Sequence, residues 1–262
     1  MEITTKMKSY RTFDGSNLDF FEAKPVSYNS TVIVVSEIWG LSAFIKSFSR
    51  RLAEEGYRVI SPDLYSRPSD RNIFTEENIM DAMRPMWSLP PEKRRDEEAI
   101  RNVKANLSEN GKKIFEFVSE KRVEMEKRML LDLEWIYKDQ KEEGKKIGIV
   151  GFCMGGGLAF QLSTQLKFDA SMIFYGASPR NIEDMKNISG ALLCVYAGED
   201  GGINATIKDV AEMVSKYKLD FEMKMYPGTY HAFFNDTGMS YNREASEDAW
   251  ERLKRFYRRY LK

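Results

Sequence analysis

Short apolar runs, each bounded by charge or turn residues, recur along the chain and predict strands. Thr31-Val32-Ile33-Val34-Val35 is a β-branched run of the kind found in parallel sheets covered on both faces. Tyr57-Arg58-Val59-Ile60, Lys146-Ile147-Gly148-Ile149-Val150, residues 169–175, Ala191 to Ala197 and residues 220–226 repeat that signal. Ahead of them, residues 2–24 read as two strands, marked by Ile3, Met7 and Tyr10 and then by Leu18 to Phe21. Asp14-Gly15-Ser16-Asn17 is the turn between them. Segments with helical spacing lie between the later runs. Residues 42–56 place Phe44, Phe48 and Leu52 on one face, with Gly56 as the stop. Residues 123–143 place Met129, Leu133 and Ile136 inward, with Gly144 as the stop, and further helices are predicted over 154–166, 203–217 and 241–260. Alternating strands and helices mean a mostly parallel sheet wound on both faces, within one α/β domain spanning residues 1–262.

Residues 68–128 break the alternation. Pro68, Pro85, Pro90 and Pro91 punctuate the first half, and the second half is dense in charge around Ile114, Phe115 and Val118. The segment reads as a helical insertion: either a lid over the carboxyl edge of the sheet or a solvated peripheral arm.

Candidate chemistry collects at strand ends. Gly151-Phe152-Cys153-Met154-Gly155-Gly156-Gly157 lies between a predicted strand and a predicted helix. A strand turning sharply into a helix through Gly-x-Cys-x-Gly is a nucleophile elbow with Cys in the nucleophile's place. The turn strains the backbone, so its flanks carry no bulk, and Gly155 to Gly157 keep the helix crossing clear. The helix N-terminus favours a thiolate there. The competing reading is a Gly-rich turn with a buried structural Cys; a dinucleotide fingerprint fails because the GxGxxG spacing is absent. Asp200 follows the next-to-last strand run and His231 the last. Asp200 alone reads more readily as a turn former beside Gly201 than as a catalytic acid, and His231 alone could be a surface-loop residue. Their joint placement after a Cys elbow, in the order Cys153, Asp200, His231, is the nucleophile, acid, histidine order of the α/β-hydrolase fold.

Composition narrows the chemistry. Lys+Arg and Asp+Glu both total 40, so no global basic field attracts nucleic acid or an anionic membrane. No apolar run reaches transmembrane length, and the first residues lack the apolar stretch of a signal peptide. Cys153 and Cys194 are the only cysteines, which suits a reduced, cytoplasmic setting, with Cys194 as inert core. With one histidine in the chain, no His-rich metal site is possible, and neither metal nor organic cofactor is expected.

The chain resembles the dienelactone hydrolase family over roughly residues 5–260. The stretches that carry the resemblance are Ser36-Glu37-Ile38-Trp39-Gly40-Leu41, Pro62-Asp63-Leu64-Tyr65-Ser66-Arg67, Gly151 to Gly156, Tyr175-Gly176, Gly198-Glu199-Asp200 and His231-Ala232-Phe233. The resemblance implies a Cys153–His231–Asp200 triad. It implies that Glu37 contacts the resting thiol, and that the N–H groups of Ile38 and Met154 form the oxyanion hole. It also implies that Arg67 holds the substrate carboxylate; Trp39 and Tyr175 are the other candidate substrate-binding residues. The residues themselves leave Glu37 open to a salt bridge with a Lys or Arg, and Arg67 open to a salt bridge at the root of the insertion. Trp39, following the Glu37 loop, reads as a pocket wall. Two departures are visible: Ala232 stands where the family often has Ser, and the segment 68–128 is longer than its counterpart.

The expected activity is therefore hydrolysis of a small, carboxylate-bearing ester or lactone through a thioester acyl-enzyme. A general short-chain carboxylesterase or thioesterase is the first alternative, and a non-catalytic ligand-binding or thiol-sensing protein the second. The expected partner is a small molecule, with no nucleic acid and no membrane, and the chain is expected to be a monomer or small homo-oligomer.

Overall fold

The computed structural model describes residues 2–90, 93, 96–142 and 144–262. Pro91 and the last residue of the expected helix 123–143 lie outside them. The first two strands, β1 (Ile3–Arg11) and β2 (Asn17–Pro25), form the expected antiparallel hairpin. Its turn is held by Asp14, whose carboxylate accepts from the Thr12 hydroxyl at 2.7 Å and the Ser16 N–H at 3.0 Å. The remaining strands are β3 (Ser30–Val35), β4 (Arg58–Pro62), β5 (Lys146–Phe152), β6 (Ala170–Phe174), β7 (Ala191–Ala197) and β8 (Phe221–Tyr226). They pair in parallel, and β2 joins β4 antiparallel, giving the sheet order β1-β2-β4-β3-β5-β6-β7-β8. The sheet is mostly parallel and its connections place helices on both faces.

Alternate side chains feed two cores. Val32, Val34, Val150, Phe152, Met172 and Phe174 pack under α1 (Ala43–Glu54) and α9 (Arg243–Leu261). Ile33, Val35, Ile149 and Ile173 face the other way. They meet α5 (Arg122–Gln140), α6 (Met154–Ser163) and α8 (Ile207–Tyr217), which contribute Leu133 and Ile136, Leu158 and Phe160, and Val210 and Met213. Burial on both faces explains why these strands read as unbroken apolar runs. Among the described residues no helix is long and apolar enough to cross a membrane.

The segment predicted as an insertion folds into α2 (Glu76–Trp87), α3 (Glu97–Ala105) and α4 (Glu109–Ser119), and runs into α5. Each of the three starts on a side-chain cap: Thr75, Asp96 and Ser108 accept from the N–H three residues on. Pro85 lies within α2 rather than ending it. Ile79, Ala82, Ile114 and Phe117 join the core, while α3 buries no residue, so its charge faces water. The helix predicted over 203–217 is two, α7 (Gly201–Asn204) and α8, with α7 beginning next to Asp200. The Thr206 hydroxyl donates back to the Ile203 carbonyl at 3.1 Å and bonds Ser178 at 2.7 Å, competing with the helix at the break.

Candidate active site

Cys153 is the hinge between β5 and α6. Its φ of 55° and ψ of −118° lie in a region L residues rarely occupy, so its backbone is strained as the elbow requires. Two backbone bonds hold it there: its N–H donates to the Phe174 carbonyl at 3.0 Å, and its carbonyl accepts from Gly157 at 3.1 Å. The flanking glycines are dictated by contact distance. A Cβ at Gly151 would sit 2.0 Å from the Gly155 carbonyl oxygen, and one at Gly155 would sit 2.3 Å from that of Ser36. Gly156 is nearly as tight, 2.7 Å from the Phe174 oxygen. Gly157 is different. Its nearest neighbour would be at 3.5 Å, ordinary contact, so it does not belong with the residues that keep the crossing clear. Backbone cannot retreat as a side-chain end can. Gly155→Ala should therefore lose about 3 kcal/mol in urea unfolding, whereas Gly157→Ala, mid-helix and unobstructed, should stay within about 1 kcal/mol of the parent.

His231 and Asp200 converge on that sulfur from the ends of β8 and β7. The His231 Nδ1 lies 2.5 Å from the Asp200 Oδ2. Burial disfavours the imidazolium, but the bond to Asp200, and then the hydrogen bond and charge of Cys153, outweigh it; the His231 pKa is pushed up to about 10. The imidazole thus has Nδ1 on the acid and lines the same cavity as the thiol. The next residue, Ala232, sits at φ +66°, a left-handed position in the turn that carries His231.

Glu37 lies two residues past the end of β3 and is only 2% exposed. Tyr175 donates its phenol to Oε1 at 3.3 Å, and Asn235 donates its amide to Oε2 at 2.6 Å. The expected contact with the resting thiol is not what the structure shows: both carboxylate oxygens are committed to Tyr175 and Asn235. The alternative, a salt bridge to Lys or Arg, is absent too among the described residues. Burial raises the Glu37 pKa to about 7, against the opposing pull of Asn235, the His231 charge and Tyr175. A raised carboxyl pKa means the folded chain holds a proton that the unfolded chain has already released. Its contribution to stability therefore falls as pH rises from about 4.5 through 7. Glu37→Gln removes that dependence. Compared with the parent, the variant should gain about 2 kcal/mol more near pH 8 than near pH 5, read from unfolding curves at each pH.

Tyr175 is itself strained, at φ +38°, and fully buried, with its phenol pKa held well above the ordinary value, chiefly by burial. Its ring centroid is 5.0 Å from that of His231. Ile38 and Met154 flank Cys153 in the same cavity, and Met154, as the first residue of α6, has an N–H with no acceptor inside its helix. The cavity has a volume of about 270 Å³. Its inner wall is Cys153, His231, Tyr175, Ile38 and Met154, and α2 and α4 supply Met83, Trp87, Phe117 and Val118 opposite them. Among the described residues no group of three or more His, Cys, Asp or Glu is gathered as a metal ion would need.

Two expected substrate contacts are not part of this cavity. Arg67 is buried and turned to protein partners. Its guanidinium donates to Asp132 at 2.5 and 3.0 Å, to Asp14 at 2.7 Å and to the Thr12 hydroxyl at 3.3 Å. With Asp132 inaccessible to water, that pairing removes Arg67 from the cavity. Trp39 stands one layer back: its ring meets Trp87 edge-on at 5.5 Å, and it is Trp87 that lines the cavity. Asn235 and the apolar residues of α2 and α4 were not foreseen. The run His231-Ala232-Phe233-Phe234-Asn235 is the only sequence signal that could have pointed to Asn235.

A strained residue at the β5 elbow, with an acid and a histidine from beyond the ends of β7 and β8 in a doubly covered parallel sheet, defines a hydrolase of the α/β-hydrolase fold. More narrowly, the chain belongs to the dienelactone hydrolase family, whose profile matches residues 18–261. A Saccharolobus solfataricus protein named "Putative carboxymethylenebutenolidase" is 47% identical over 250 residues, covering 95% of this chain and 96% of its own. A Synechocystis protein of the same name is 27% identical over 267 residues, covering 96% of each. Among solved structures, a dienelactone hydrolase-like promiscuous phosphotriesterase from metagenomic libraries shares the fold with a TM-score of 0.74 at 18% identity, over all of both chains. Dienelactone hydrolase from Anabaena variabilis does so with a TM-score of 0.61 at 14% identity, again over all of both chains.

Proposed function

We propose that this protein hydrolyses a small carboxylic ester or lactone, with Cys153 as nucleophile, His231 as proton carrier and Asp200 as its orienting acid. The observation that carries the reading is His231, bonded to Asp200 at 2.5 Å and lining the same cavity as Cys153. An imidazolium beside a sulfur at a helix N-terminus favours the thiolate. The thiolate attacks the acyl carbonyl, and the oxyanion is received by the N–H groups of Ile38 and Met154, each donor contributing about 3 kcal/mol. His231 passes its proton to the departing alkoxide, leaving a thioester on Cys153. It then takes a proton from water as that water attacks the thioester, and keeps it as the acid leaves and the sulfur departs as thiolate, restoring the starting ion pair. Tyr175, Glu37 and Asn235 form the polar support behind the sulfur. The helices α2 and α4 close the cavity as a lid belonging to the same single domain, a reading supported by the side chains they add to its wall. The substrate is a small molecule and the steps need no metal or organic cofactor.

Mixing the protein with para-nitrophenyl acetate and quenching early should trap an acetyl adduct on the Cys153 peptide by mass spectrometry. Nitrophenol release with no adduct on that peptide would remove Cys153 from the reaction. The diversion of Arg67 favours a second reading within the same chemistry, a short-chain carboxylesterase or thioesterase that asks no carboxylate of its substrate at that position.

A further inference from the structure

The catalytic cavity shares two wall residues, Arg122 and Ala177, with a neighbouring groove of about 460 Å³. Val123, Leu130 and Leu158 give that groove apolar walls, and Arg180 gives it a second guanidinium. Glu126 joins the two cations: its Oε1 accepts from Arg122 Nε at 2.6 Å and its Oε2 from Arg180 Nη2 at 2.5 Å. One carboxylate between two guanidinium groups leaves a net positive charge. Among the described residues, Arg122 is the only Lys or Arg on the wall of the cavity that holds Cys153.

The contrast with Arg67 makes this arrangement informative. Arg67 is buried, with each guanidinium nitrogen bonded to protein and its charge paired with Asp132 and Asp14, and it does not line the cavity. Arg122 has its Nε alone on Glu126, and its side chain is 51% exposed. Glu126, 14% exposed, holds both arginines in place, and the outer Nη groups of Arg122 are available to a planar anion.

We propose that Arg122, oriented by Glu126 and seconded by Arg180, binds a substrate carboxylate. The preferred substrate is then an ester or lactone with an apolar body in the cavity and an anionic end at this cluster. This rests on the reading of Cys153 as nucleophile, and it assigns to the α5 terminus the carboxylate recognition that Arg67 cannot provide.

Two pairs of esters test it, because the carboxylate can lie on either side of the scissile bond: para-acetoxybenzoate with neutral para-acetoxybenzamide, and monophenyl succinate with phenyl butyrate. Within each pair the readout is kcat/KM for the anion divided by that for the neutral ester. Arg122→Gln should lower that ratio about tenfold or more in at least one pair, as loss of a charge-assisted bond does. Arg84→Gln, an exposed cation elsewhere on the insertion, should leave it unchanged. A ratio within about twofold of the parent in both pairs, or an equal fall in Arg84→Gln, overturns the assignment. Should the parent turn over none of the four esters, the hydrolase reading fails by itself. Titration calorimetry of para-hydroxybenzoate and succinate into the parent and Arg122→Gln then decides the anion site. Tighter binding to the parent of about tenfold or more, for either anion, supports it, and a smaller difference for both overturns it.

Discussion

Cys153→Ala is expected to lower kcat/KM for a small aryl ester by about a thousandfold or more, with the unfolding curve little changed. The methyl group removes the nucleophile while the glycines and the Phe174 carbonyl still hold the elbow. What survives is catalysis by oriented donors acting on water, which is why the loss is large and finite. Cys194→Ala is the internal control. That thiol is fully buried in β7, with its pKa pushed up to about 12 by burial, so it is neither reachable nor ionised near neutrality. Its loss should cost stability through the small cavity left behind and leave turnover unchanged. Stopped-flow release of nitrophenol distinguishes the two, because the parent should show a burst equal to the active-site concentration and Cys153→Ala should show none. Undiminished turnover in Cys153→Ala would refute the nucleophile.

Much of this arrangement was legible in the sequence because it is local. A strand covered on both faces has to be apolar throughout, so β3, β5, β6 and β7 announce themselves, and the elbow follows from a turn that only small flanks allow. The order Cys153, Asp200, His231 was readable for the same reason: chemistry at the same-side ends of β5, β7 and β8 is brought together by the parallel sheet itself. What was not legible is pairing at long range. Arg67 and Asp132 lie 65 residues apart, and nothing near either one tells that they meet in the interior. Asn235 reaches Glu37 across 198 residues in the same way. A motif can state which residue type stands at a strand end, but not which of several nearby partners its polar head selects. The insertion was recognisable as helical, yet its role as the apolar wall depends on how α2 and α4 tilt over the sheet. Their spacing alone does not encode that tilt, and so Trp39 was assigned a position that Trp87 occupies.

Asp200→Asn should cost about a hundredfold to ten-thousandfold in kcat/KM, and its more telling effect is on the pH profile. In triads with a serine nucleophile the acid both fixes the tautomer and stabilises the imidazolium, and its amide replacement does neither. Here the thiolate shares the second task, since Cys153 also raises the His231 pKa, and so the loss should sit toward the lower end of that range. The direction of the pH effect follows from the same balance. The bond to Asp200 is the largest influence raising the His231 pKa from 6.5 to about 10, opposing burial. Without it the imidazolium gives up its proton at lower pH, and the alkaline limb of the activity profile should move down from near 10 toward neutrality. Iodoacetamide alkylation of Cys153 gives an independent reading, because loss of the imidazolium uncouples the thiolate from its partner over the same pH range. The fold should respond in the same sense. A raised histidine pKa supplies stability that is complete below the unfolded value of about 6.5 and is lost as pH rises through 10, so the parent should lose more stability than Asp200→Asn across that interval. An alkaline limb that stays in place in Asp200→Asn would mean that Cys153 alone holds the proton on His231, and Asp200 would then be a turn residue at the start of α7 rather than part of the reacting machinery.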